Sequence, residues 1–404
     1  MRKTFIISVQ LFYVILFFCS CESGNKQSDS GIFSISLENE IEKVKPSGLS
    51  EAGSRITYIP LETSENGLLR EHLRFIRASN THFAVFNSRD VFLFDSSGKF
   101  ITKIGARGGG PGEYSSVHEL YFSSNGEKIF LLDSKATCLE YDVAGNFSGS
   151  FTMENAQLTR MLPLTENLFV FHQLNIMPDV PVSMLISDSQ GNIQKTYENH
   201  HKLTSERPMP DSQIRPLYLY DGNVRFKQRG DLADTLFTVT EKELVPYAVF
   251  NLGKYAMPID VSMPAQRMNY DEMLNFIGAT GKYYVREMLE DVDNLYILLY
   301  DYRMLDANTA RYMYGYFNKK SRTAKVIGEQ GFENNIDGGL PFFPKFIFDD
   351  VLVDYVSAFK LREHVLKSNA TEMKRKYGTK WDDLLKLANS LDEEANQVLV
   401  MVRK

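Results

Sequence analysis

The sequence predicts an all-β fold, a single six-bladed β-propeller with small helical insertions, and three observations point to it. A short cassette recurs at a near-constant interval, the segments around it alternate apolar and polar residues, and the last strand has a natural partner near the start of the body. The cassette is an apolar strand, Asp, two residues, Gly, a polar residue and a second apolar strand. Its copies run from Val91 to Phe100, Leu139 to Phe147 and Leu185 to Ile193, with Asp95, Asp142 and Asp188 spaced 47 and then 46 residues apart. Four-stranded propeller blades repeat every 40 to 50 residues, roughly. Helical solenoids of similar period are excluded, because period-two alternation belongs to strands.

The cassette's chemistry is local. Asp accepts hydrogen bonds from the turn backbone, and Gly98, Gly145 and Gly191 supply the positive φ of a tight hairpin. Calcium binding is the weaker reading, since a calcium loop converges several oxygen ligands and each copy offers one carboxylate. Later repeats are worn. The fourth covers Thr235 to Leu244, with Glu and Lys at the turn; the fifth runs through Leu295–Tyr300 to Tyr312–Phe317; the sixth uses Phe346–Phe348 and Val351–Val353. Helical insertions are expected at about 264–277 and 358–391, the second carrying Trp381, Leu384, Leu385 and Leu387 in an amphipathic pattern. The strand Gln397–Val402 closes the ring by joining Thr57–Leu61.

The N-terminus reads as an address. Arg2 and Lys3 precede an apolar run from Phe5 to Phe18, then small Ser20 and Cys21, after which the chain turns polar at once. That profile is a secretory signal. The run is shorter than the ~20 residues of a spanning helix. The expected organisation is a signal peptide over 1–20, a flexible tether over 21–54 and the propeller over 55–404. Loss of Arg2 and Lys3 takes the formal net charge from -6 to -8. An acidic chain without a long basic stretch argues against a nucleic-acid partner. Cys138, alone in the body, is expected to be a buried, inert thiol.

The signal resembles the bacterial lipoprotein type, in which Cys21 becomes the lipidated first residue, with Phe18 standing where that pattern prefers Leu. The stretch Gly105-Ala106-Arg107-Gly108-Gly109-Gly110-Pro111-Gly112-Glu113-Tyr114, followed by Val117–Phe122, Ile129–Asp133 and Tyr141-Asp142, resembles an NHL-type repeat. With Asp234–Phe237, Pro246–Gly253 and Asn396–Val402, the chain resembles the six-bladed NHL/TolB-like propeller lipoproteins of Gram-negative bacteria. The resemblance implies architecture and attachment to a membrane of the cell envelope, the outer membrane by preference. It implies no general activity.

The search for chemistry returns little. The Gly-rich loop lacks the Lys-Ser or Lys-Thr of a phosphate-binding loop and leads into a strand, so it reads as a connector between blades. The seven histidines form no HExxH or helix-spaced pair, and there is no GxSxG elbow. No catalytic residue, metal ligand or cofactor is assigned. One constellation stands out by register: His72, His118, Arg160 and Arg215 fall near blade starts, and Arg107 lies in the loop before the second blade. Convergent Arg and His would suit an anionic or hydroxyl-rich ligand. The expected function is a non-catalytic binding or scaffolding lipoprotein that holds a protein, peptide or glycan on a propeller face. An extracytoplasmic lyase or hydrolase acting at the funnel is the alternative.

Overall fold

Three turns of identical chemistry set the architecture. Asp95 Oδ1 accepts the backbone N–H groups of Ser97 and Lys99 at 2.8 and 3.0 Å. Asp142 does the same for Ala144 and Asn146, and Asp188 for Gln190 and Asn192. The glycine in each turn has φ between 85° and 89°, where a side chain would clash with the backbone. Each cassette is thus the outer hairpin of a four-stranded sheet.

The computed structural model describes residues 31–404 apart from 70–72, 155, 174–179, 200–214, 229–232, 257–268, 270, 273–274, 276–282 and 302–310. Six antiparallel blades follow in chain order. Blade 1 spans 75–104, blade 2 spans 117–152, blade 3 spans 158–198, blade 4 spans 217–251 and blade 5 spans 283–328. Blade 6 combines Phe346–Phe348, Val351–Val356 and Val398–Arg403 with Arg55–Pro60 from the start of the body. In that closure Thr57 faces Met401 and Ile59 faces Leu399, so strands from both ends of the body complete one sheet.

Six clusters of buried side chains lie one between each pair of neighbouring blades. Alternation along a strand explains them, since successive side chains point to opposite faces of a sheet. In blade 1, Ala84 and Phe86 pack toward blade 2, whereas Phe83 and Val85 pack toward blade 6. Both faces of a middle strand are therefore dry, and Val91-Phe92-Leu93-Phe94 is a continuous apolar run with no residue more than 2% exposed. Alternation here sorts residues between two neighbours rather than between core and water. Outer strands such as Phe147–Thr152 keep the half-buried pattern.

One boundary needs correction. The expected tether over 21–54 does not extend to its end, because Phe33–Ser36 is a fifth strand of blade 4, parallel to Leu244–Asn251. Ile35, Leu37 and Leu49 have no exposed surface. Polar neighbours hide this apolar minority in the sequence. The insertion expected at 264–277 falls largely outside the described residues. The second is a set of three helices, Ala358–Lys367, Ala370–Tyr377 and Thr379–Ser390, set between the second and third strands of blade 6. Ser357 and Asn369 cap the first two by accepting the amides of Lys360 and Glu372. Trp381, Leu384 and Ala388 pack on Ala358, Leu361 and Val365.

Candidate functional site

The innermost strand of each blade touches that of the next, and the sixth touches the first, so six strands surround one axis. Three of them carry a charged residue at their third position: Arg77 in Phe75–Ala78, Glu119 in Val117–Phe122 and Arg160 in Leu158–Pro163. Arg215 comes just before the first strand of blade 4, Glu287 lies in that of blade 5, and Lys345 precedes that of blade 6. Every blade therefore sends a charge toward the axis.

Glu119 is the buried centre of this set. Its carboxylate accepts from Arg77 at 2.5 Å, from Arg160 and from the Leu120 amide. Burial acts to raise its pKa, but the guanidinium groups of Arg160 and Arg77 outweigh this and hold it below the usual value. Burial likewise pulls Arg160 down to about 10, with Glu119 opposing and Arg215 and Arg77 adding repulsion. Arg77 shifts the same way for the same reasons. Asp354 is also spoken for: it accepts from Lys345 and from the Tyr355 and Phe343 amides. Its pKa is raised by burial despite Lys345.

Beside these locked groups is a cavity of about 260 Å³. Arg77, Arg215, Glu287, Lys345 and Asp354 supply its charges, while Phe75, Met288, Leu298, Tyr314, Phe343 and Tyr355 supply much of its wall. Its volume lies just below the ~300–1,000 Å³ range of small-molecule sites, which share this mix of apolar wall and few polar groups. Arg215 and Glu287 face each other loosely, with Nε and Oε1 3.7 Å apart and both side chains about a quarter exposed. That separation exceeds a hydrogen bond, so the donors of one and the lone pairs of the other stay available to the cavity.

The residues named from the sequence are dispersed differently. Arg160 and Arg215 belong to the axial set, Arg160 buried against Glu119 and Arg215 open to the cavity. His118 is half-buried one residue before Glu119, and its Nδ1 bonds the Leu158 carbonyl at 2.8 Å, clasping blade 2 to blade 3. Arg107 is exposed on the Gly-rich loop, away from the cavity wall. That loop is a connector: Tyr141 donates to the Gly112 carbonyl at 2.8 Å, and the Val91 amide donates to the Tyr114 hydroxyl at 3.2 Å. His72 lies outside the described residues, as does Cys21. Sequence reasoning misses Arg77, Glu119, Glu287, Lys345 and Asp354. The shared third position of the first three inner strands is a usable signal for Arg77 and Glu119.

Among the described residues no group of three or more His, Cys, Asp or Glu could hold a metal ion. Another deeply buried acid with several partners, Glu290, accepts from Tyr218 at 2.9 Å and Lys319 at 3.0 Å, joining blade 4 to blade 5.

A closed six-bladed propeller with a charged axial cavity belongs to a class defined by its fold and its surfaces, not by one reaction. The chain belongs to the family described as a domain of unknown function, DUF4934, which matches residues 32–403. Among solved structures it is similar to a Bacteroides fragilis NCTC 9343 protein described as exported, at 18% identity over 92% of this chain and 99% of that one, with a TM-score of 0.68. That likeness concerns the fold. The Neurospora crassa Pan2 WD40 domain matches 68% of this chain and 73% of its own at 10% identity, with a TM-score of 0.41. No curated protein matches the sequence.

Proposed function

We propose that this protein is an exported, lipid-anchored binding or scaffolding protein of the cell envelope, whose propeller presents its axial cavity and loop faces to a partner. The observation that carries the binding reading is the axial set itself. Glu119 holds Arg77 and Arg160 in place while Arg215 and Glu287 keep hydrogen-bonding capacity toward a cavity with an aromatic wall. Polar groups fixed before a ligand arrives lose little on binding it. Cys21, with its preceding signal, supports the lipid anchor, and the B. fragilis protein described as exported is consistent with that address. The protein, peptide or glycan that the faces hold is the partner in this reading.

The test is affinity capture of the full-length lipidated protein from gently cross-linked cells, read by mass spectrometry, in parallel with Arg215→Gln. A reproducible envelope partner present at near-equal amounts supports the scaffold. Empty capture, together with failure of any small molecule to raise the melting temperature of the wild-type protein, sinks the binding reading.

A further inference from the structure

Resting on the reading of the axial cavity as a binding site, we infer that its ligand is a free α-amino acid with an apolar or aromatic side chain, held across Arg215 and Glu287. The cavity offers charge of both signs at one point with hydrogen-bonding capacity left over. Arg77 is engaged with Glu119 and the Ile76 carbonyl, and Lys345 with Asp354 and the Tyr355 carbonyl. Among the described residues Arg215 and Glu287 form a loose ion pair, at 3.7 Å and without a hydrogen bond, and the other axial charges act on them only through their field. A guanidinium in such a state presents a planar fork that matches a carboxylate, and a carboxylate beside it matches an ammonium.

Size and wall chemistry narrow the class. A simple anion would satisfy Arg215 but meet Glu287, a like charge, with no compensating donor. A peptide separates its ammonium and carboxylate by at least one peptide bond. In a free α-amino acid only Cα and the carboxyl carbon stand between the two groups, so one molecule can straddle a pair of side chains that nearly touch. Phe75, Met288, Leu298, Phe343 and Phe346 line the same cavity and give the side chain an apolar wall. Arg77, Arg160 and Arg215 repel one another across the axis, and a bound carboxylate offsets that repulsion.

The experiment is isothermal titration of the detergent-solubilised full-length protein with L-leucine and L-phenylalanine, their N-acetyl and amide derivatives, and glucuronate as a hydroxyl-rich acid. The expected result is binding of one or both amino acids, weakened about tenfold or more by acetylation and by amidation, since each removes one charge-assisted contact. Arg215→Gln and Glu287→Gln should each produce a similar loss, while Lys254→Ala, on the surface outside the cavity, leaves binding unchanged. Far-UV circular dichroism and melting temperature establish that each variant is folded. Equal binding of an N-acetyl amino acid overturns the inference, as does amino-acid binding that survives both cavity substitutions. Glucuronate binding without amino-acid binding overturns it too but keeps the cavity as a binding site. No response to any compound overturns the inference, and the broader reading falls with it only if capture from cells is empty as well.

Discussion

At the scale of single residues, Glu119 holds the strongest consequences. It is a carboxylate with 1% exposure between two guanidinium groups, and removing one member of a buried ion pair costs about 3–5 kcal/mol by stranding the rest. Glu119→Gln should therefore lower the unfolding free energy by about that amount, as read from urea denaturation at pH 7. The pH dependence follows from the same contacts. The folded pKa of Glu119 is below its ordinary 4.5, so its contribution is complete above pH 4.5 and is lost as pH falls through the folded value. Asp354 and Asp337, whose pKa values burial raises, act with the opposite sign, because the folded protein binds their protons more tightly. The gap between wild type and Glu119→Gln isolates Glu119, and it should narrow below pH 4.5; a gap that stays constant to pH 3 would exclude the ion-pair account. Cys138 is simpler. It is 2% exposed, its thiol pushed up by burial and its Sγ 3.4 Å from Met161 Sδ, so a thiol reagent should label it only after denaturant is added.

Elements depend on their turns. Gly145 has φ of 89°, and a Cβ there would sit 3.1 Å from the Lys103 carbonyl oxygen of the neighbouring blade. Gly145→Ala should cost about 1–2 kcal/mol, the penalty of placing an L side chain in left-handed backbone. Gly149 is the internal control. It lies four residues on, within the outer strand Phe147–Thr152, and a Cβ there would meet no atom within 4 Å. Gly149→Ala should be neutral or stabilising by up to ~1 kcal/mol, since it reduces the freedom of the unfolded chain without strain. Thermal unfolding of the two variants side by side checks the pair, and equal losses would mean that turn geometry is not the cause.

For the whole molecule the decisive feature is closure. Val398–Arg403 pairs on one side with Arg55–Pro60 and on the other with Val351–Val356, so its loss exposes two sheet edges and opens the ring. Removing residues 398–404 should abolish the cooperative unfolding transition and make the body sensitive to protease. The buried Asn396 reinforces the closure from the side: its Oδ1 accepts the Leu69 amide, and its Nδ2 donates to the Glu62 and Gly67 carbonyls. On the proposed lipid anchor, Cys21→Ala should release the protein from the membrane fraction without altering the melting temperature of the body. Retention of the variant in membranes would remove the anchor from the reading.

The sequence by itself determined the blades. A turn needs only its own residues, so Asp95, Asp142 and Asp188 with their glycines were readable as hairpins, and their spacing carried the blade count. The closing strand was legible because its apolar run had an obvious partner in Thr57–Leu61. Only the tertiary structure decided the site. Arg77, Glu119, Arg160, Arg215, Glu287 and Lys345 come from six blades, and ring closure alone places them about one axis. Their pairing depends on which neighbour each strand faces, as His118 shows by turning to a backbone carbonyl one residue from Glu119. The same limit hid Phe33–Ser36, whose partner Leu244–Asn251 lies in the other half of the chain. Local chemistry is written in consecutive residues; the encounter of charges across an axis is written in none of them.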